Sequence, residues 1–156
     1  ISGFISELFS KGIYKIETMH LNNQAGIVVW ITGLSGSGKT TLGNAIKEKL
    51  IKKKITCVWL DGDQLREIFH QTNQFDRSSR LKLGKIYGEL CKVLSSQGIS
   101  VVISTISLFK EVHQWNRDNI ARYYEIFIDI PLTELQSRDP KGIYKLYRKG
   151  KIKGIP

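Results

Sequence analysis

Cysteine is scarce in this 156-residue chain, and its two copies, Cys57 and Cys91, build no disulfide framework. No Cys/His cluster has the spacing of a zinc site. Both thiols are expected to be reduced core residues of a cytoplasmic protein, Cys57 in a buried strand and Cys91 in a helix. Long apolar runs are missing too. None approaches the roughly 20 residues of a membrane helix, so no membrane partner is expected. The opening residues lack a basic stretch followed by an apolar one, which argues against a secretory signal. Repeats, low-complexity tracts and interdomain linkers are absent. The remaining composition, 41% hydrophobic and 24% charged, suits one soluble domain with a sizeable core.

Acidic residues are the minority, and the net charge is +10. The excess is local. One group is Lys47, Lys49, Lys52, Lys53 and Lys54, at the end of an expected helix whose dipole favours cations there. The other is Lys141, Lys145, Arg148, Lys149, Lys151 and Lys153. A nucleic-acid patch is the rival reading of both groups. No aromatic-rich RNA-binding signature accompanies them, so no nucleic-acid partner is expected.

Residues Gly33-Leu34-Ser35-Gly36-Ser37-Gly38-Lys39-Thr40 fit the phosphate-binding P-loop pattern G-x-x-x-x-G-K-[ST]. An apolar, β-branched run, Ile27–Thr32, precedes it and reads as a buried parallel strand. Thr41–Leu50 follow, with Leu42, Ala45, Ile46 and Leu50 at helical spacing. Strand, glycine loop and helix form the context the motif requires. Backbone N–H groups of such a loop wrap a phosphate, and the helix N-terminus adds partial positive charge. Lys39 is expected to reach the β- and γ-phosphates of ATP, and the Thr40 hydroxyl to sit on Mg²⁺.

Further along, strands are expected over 55–60, 99–104 and 124–130, the last stopped by Pro131. Helices are expected over Gln64–His70, Arg80–Ser96, 109–120 and Leu132–Gln136, with residues 71–79 as a loop. In the first 26 residues only a short helix at Phe4–Phe9 and a loop at Asn22–Gly26 are expected. This alternation predicts an α/β fold: a mostly parallel sheet with helices on both faces, in three layers. Its ligands belong at the carboxyl ends of the strands, where the P-loop, Asp61/Asp63, Ser104/Thr105 and Ile130/Pro131 all fall. The expected division is an extension over 1–26 and a P-loop domain over 27–156.

Asp63 leaves a strand end on the P-loop side of the sheet. A carboxylate there can accept a proton from an attacking hydroxyl or hold Mg²⁺ through water. Either Asp61 or Asp63 can instead simply cap the helix that follows. Arg66 lies one turn after Asp63 on the same face. The basic segment 138–153 reads as a lid over phosphates or, alternatively, as a solvated surface helix. A chain this short, without a GTPase-type base-reading N-K-x-D, points to a small-molecule kinase.

Three segments together resemble the adenylyl-sulfate kinase family: Gly33–Leu42, Leu60–Arg66, and Arg138-Asp139-Pro140-Lys141-Gly142-Ile143-Tyr144-Lys145 followed by Gly150–Lys153. The resemblance covers about residues 27–156. It implies transfer from MgATP to the 3′-hydroxyl of adenylyl sulfate, giving 3′-phosphoadenylyl sulfate, in a small-molecule nucleotide site. The family often forms dimers, so a homodimer is an expectation of the same origin. Asp63, Lys39 and Lys141 are the implied catalytic residues. On the ATP side are Gly33, Ser35, Gly36, Ser37, Gly38, Lys39, Thr40, Thr41 and Arg138. On the acceptor side are Asp61, Asp63, Arg66, Phe75 as a base stacker, Arg80, Ile106, Ser107, Lys141 and Ile155. The departures cluster on the acceptor side. The family's Asp-Arg pair falls on Ser79-Arg80, its following Asn on Leu83 and an Arg on Lys85. Its Phe-Ile-Ser-Pro becomes Thr105-Ile106-Ser107-Leu108, and its second base-stacking Phe falls on Ile155. Another acceptor is therefore the alternative, with cytidine diphosphoramidate, phosphorylated by a similar kinase of surface-polysaccharide modification, named first. A non-catalytic nucleotide-binding subunit is the alternative of another class.

Overall fold

The β-branched run before the glycine loop forms β2 (Val28–Gly33), buried at every residue. The computed structural model describes residues 25–70 and 76–150, and the strand β1 (Thr18–Met19) in backbone only. β2 is central because it is apolar on both faces. It pairs in parallel with β4 (Ser100–Thr105), Val28 opposite Val101 through Thr32 opposite Thr105, and on its other side with β5 (Tyr123–Ile128). β3 (Cys57–Asp61) lies outside β4, also parallel, and β1 pairs antiparallel with β5. The order is β1-β5-β2-β4-β3. Part of the 1–26 extension thus adds a strand to this sheet.

Alternation along β2 separates two cores. Val28 and Trp30 point to one face, where Leu83, Tyr87 and Cys91 of α3 (Arg77–Ser96) and Val112 of α4 (Lys110–Asn119) cover them. Leu65 of the short α2 (Gly62–Ile68) closes the same core. Val29 and Ile31 point to the other face, against Ile46 and Leu50 of α1 (Lys39–Lys52). The expected three-layer α/β/α fold is the observed one. Helices α5 (Leu132–Arg138) and α6 (Ile143–Arg148) complete the described chain. Among the described residues, no helix is long and apolar enough to cross a membrane.

Several expected boundaries move, each for a local reason. β3 is half-buried throughout rather than buried, because it is the edge of the sheet. Cys57 is therefore half-buried and not a core residue, whereas Cys91 is fully buried; both are free thiols. α3 starts at Arg77, three residues early, because Asp76 accepts the Ser79 backbone N–H at 2.9 Å and caps it. α2 starts at Gly62 rather than Gln64, capped by Asp61. β5 ends at Ile128, short of Ile130, and α5 runs on to Arg138. The Phe4–Phe9 helix lies outside the described residues.

The approach of α3 to α4 depends on glycine. A Cβ on Gly88 would fall 2.3 Å from Asn116 Oδ1 and 3.1 Å from the Trp115 ring. Asn116 is wholly buried and cannot withdraw. Gly88→Ala gains about 1 kcal/mol of helix propensity but overpacks this contact at a cost of about 1–3 kcal/mol. The expected net result is a melting midpoint lowered by a few degrees in a thermal scan. An unchanged or higher midpoint would mean that α4 yields without penalty.

Candidate active site

The loop between β2 and α1 is shaped by glycines in the left-handed region, Gly36 at φ 79° and Gly38 at φ 92°. Gly38 is the N-cap of α1, and no side chain caps that helix. The first-turn N–H groups are left for a ligand, and the dipole makes that ligand an anion. Lys39 folds back over the loop: its Nζ donates to the Leu34 carbonyl at 2.6 Å and lies 3.5 Å from Ser37 Oγ. Burial lowers the Lys39 pKa to about 8. The neighbouring Lys141 and Arg66 charges push the same way, and Asp61 opposes them.

Asp61 and Asp63 share a turn and do different things. Asp61 Oδ1 accepts the Asp63 backbone N–H at 2.8 Å, which is the capping role. Its other oxygen accepts the Thr40 hydroxyl at 3.2 Å, tying β3 to the P-loop helix. Asp63 projects from the first turn of α2 and pairs with both Arg66 and Lys141. A cavity of about 270 Å³ lies over these residues. Three cations, Lys39, Arg66 and Lys141, and two carboxylates, Asp61 and Asp63, line it. Burial lowers the Lys141 pKa too, with Arg66 adding to the shift and Asp61 opposing it. The site is poised for a polyanion. The donor set also fits Mg²⁺: Thr40 Oγ1 and Asp61 Oδ2 are hard oxygens side by side on the wall, and this ion keeps most of its shell as phosphate and water.

The basic segment is not simply a solvated helix. Asp139 caps α6 with both oxygens, accepting from the Tyr144 and Lys145 N–H groups at 3.1 and 3.0 Å. Tyr144 is 1% exposed, and its hydroxyl donates to the Ser35 carbonyl of the P-loop at 2.9 Å. Pro140 packs on Gly36, whose Cβ would lie 3.3 Å from its ring. Lys141 thereby reaches Asp63 across the cavity. The outer side of the segment, at Leu146 and Tyr147, stays exposed.

Residues 25–156 match the family model described as adenylylsulphate kinase. The chain belongs to the adenylylsulphate kinase family. It is 44% identical over 117 residues to a cytidine diphosphoramidate kinase of Campylobacter jejuni, covering 75% of this chain and 68% of that protein. It is 38% identical over 145 residues to the chloroplastic adenylyl-sulfate kinase 1 of Arabidopsis thaliana, covering 92% of this chain but only 52% of that protein. Among solved structures it resembles the APS kinase of Mycobacterium tuberculosis in complex with AMPPNP and APS. That match has a TM-score of 0.76 and 34% identity, over 83% of this chain and 77% of that one. A family kinase is ATP-dependent and transfers phosphate to a hydroxyl.

Against the roles the family implies, the cavity gathers Ser35, Gly36, Gly38, Lys39, Thr40, Thr41, Asp61, Asp63, Arg66, Ile106 and Lys141. Gly33 and Ser37 lie beneath the loop; a Cβ on Gly33 would meet Ser37 Oγ at 2.8 Å and the Ile128 carbonyl at 2.9 Å. Arg138 is outside the cavity wall and pairs with Glu134 on α5. Arg80 sits in the first turn of α3, where burial and then the Arg66 charge lower its pKa. Ser107 is buried behind the wall. Phe75 and Ile155 lie outside the described residues. Sequence reasoning missed Tyr144 as the residue that anchors the basic segment to the P-loop, although an aromatic inside a basic run was the available signal.

Proposed function

We propose that this chain transfers the γ-phosphoryl group of MgATP to the 3′-hydroxyl of a nucleotide whose 5′ end carries a compact anion. The convergence of Asp63, Arg66 and Lys141 on the P-loop cavity carries this reading. The loop N–H groups and Lys39 hold the β- and γ-phosphates. Thr40, beside Asp61, is the residue that would hold Mg²⁺, which neutralises phosphate charge when bound. Asp63 orients the acceptor hydroxyl and takes its proton. Arg66, with Arg80 behind it, faces the acceptor's anionic end. Lys141 neutralises charge on the moving phosphoryl group, and the lid excludes water. A non-catalytic nucleotide-binding role fits less well, because Lys39, Thr40, Asp63 and Lys141 all border one cavity. A cytoplasmic setting and a homodimer belong to the same proposal; the free thiols support the first and the family alone supports the second.

Cytidine diphosphoramidate is the acceptor this reading favours. Identity is higher to that kinase, 44%, than to the Arabidopsis adenylyl-sulfate kinase, 38%. The departures also gather on the acceptor side. Thr105, where the resemblance places a Phe, lines the cavity beside Gly62. Leu83, at a family Asn, packs into the apolar core. Adenylyl sulfate is the second reading, favoured by the retained Arg66, Arg80, Ile106-Ser107 and Lys141. A coupled ATP-turnover assay with Mg²⁺ compares the two acceptors. Turnover on the cytidine compound at the lower KM is expected. Turnover on adenylyl sulfate alone would reverse the order, and turnover on neither would overturn the 3′-kinase proposal.

A further inference from the structure

The cavity wall at Ile106 is fastened from behind by a buried polar chain. β4 ends at Thr105, Ile106 lines the cavity, and Ser107 turns inward. The Ser107 carbonyl accepts two buried hydrogen bonds, from Thr32 Oγ1 at 3.1 Å and from His113 Nε2 at 2.8 Å. Thr32 is the residue before Gly33, where the P-loop opens. His113 stands in the first turn of α4, and its Nδ1 lies 2.8 Å from Glu125 Oε1 on β5. A carbonyl only accepts, so Nε2 carries the N–H that reaches Ser107.

The rest of the chain steadies Glu125. Arg117 approaches its Oε2 to 3.1 Å, and the Tyr123 hydroxyl donates to the same oxygen at 3.3 Å. Asn116 Nδ2 donates to that hydroxyl, also at 3.3 Å. Burial alone would raise the Glu125 pKa, but His113 and Arg117 bring it below its ordinary value. α3 meets this corner through Gly84 and Gly88, which bring no charge. Trp30 of β2 covers the His113 ring edge-on, with centroids 6.4 Å apart. None of these groups except Ile106 borders the cavity.

The geometry points to His113 as a positioning residue for the acceptor: it holds the Ser107 carbonyl, and through it Ile106, in place at the cavity wall. This rests on the reading above, in which Ile106 borders the acceptor. Losing the ring leaves that carbonyl with one donor and frees the wall to shift. ATP, held by the P-loop, is affected less than the acceptor.

Three variants test this by steady-state kinetics. His113→Leu keeps bulk and removes the ring donor to the Ser107 carbonyl. His113→Gln keeps one donor able to reach the carbonyl. Thr32→Val removes the other donor. His113→Leu is expected to raise the acceptor KM about tenfold, the loss of one buried hydrogen bond, with the ATP KM within about twofold. His113→Gln is expected to recover most of that loss, and Thr32→Val to show about a threefold rise. If the Leu variant does not fold, the Gln and Val variants carry the comparison. A lower melting temperature with both KM values unchanged, or both KM values rising together, would overturn the proposal. So would a Gln variant as impaired as the Leu variant. A crystal structure of a folded variant adds a readout independent of any acceptor. A displaced Ser107 carbonyl in the Leu variant supports the proposal, and an unmoved one overturns it. Wild-type inactivity on both nucleotides would sink the kinase reading separately, leaving the crystal structure to decide this one.

Discussion

Asp63→Asn is expected to lower kcat by about 10²–10⁴-fold, the span of a positioned general base, while changing the ATP KM little. Asparagine keeps the shape of the carboxylate but cannot take a proton. Stability should hardly register the change. The pairs Asp63 makes with Arg66 and Lys141 are part-exposed, 42% at the carboxylate and 29% and 50% at the cations, and such pairs are worth about 0–1 kcal/mol. A large kinetic effect with a small thermal one separates a chemical role from a structural one. Excess Mg²⁺ separates the base from a metal-holding role, since restored turnover would assign Asp63 to the metal. A variant that kept full kcat would remove Asp63 from the chemistry altogether.

The parts legible in the sequence were those whose cause is local. An apolar run, a glycine loop and a helix of mixed spacing lie within 25 residues of one another, and their structure follows from their neighbours. The same holds for Asp61 as a cap, where two residues decide the geometry. β1 was not legible because two residues carry no periodicity; it exists only through its pairing with β5, a hundred residues away in sequence. The edge position of β3 was hidden for the same reason. Cys57–Leu60 read as apolar as any central strand, and strand order is set by contacts far along the chain. α6 was masked by the basic residues in and around it. Its fixed place comes from Tyr144 reaching the carbonyl of Ser35, 109 residues earlier. His113 illustrates the limit most clearly. A lone histidine on a helix says nothing until Ser107 and Glu125, from two other segments, are brought within 2.8 Å of its two nitrogens.

Lys39→Met should nearly abolish phosphoryl transfer, lowering kcat/KM for ATP by about 10³-fold or more, because a preorganised charge at the developing negative charge is lost. The ligand-free protein should not suffer. Lys39 is half-buried beside other cations, and its pKa of about 8 lies below the ordinary 10.5, so the folded state holds that proton less well than the unfolded chain. The unfolded chain therefore binds more protons between about pH 8 and 10.5. For this group, stability is reduced at neutral pH and recovers as pH rises through that window. Methionine removes the penalty outright, so the variant's melting temperature at pH 7 should equal or exceed the wild-type value. Its stabilisation by ATP should vanish. The affinity carries the opposite sign. ATP binds the charged form, so wild-type affinity should fall as pH rises above about 8, with proton uptake on binding near that pH. Calorimetric titration from pH 7 to pH 9.5, in buffers of different ionisation enthalpy, reads both quantities. A wild-type affinity flat across that range would mean that Lys39 does not meet the phosphates. The same fall in Lys39→Met would assign the titration to Lys141, the other cavity lysine whose pKa is lowered.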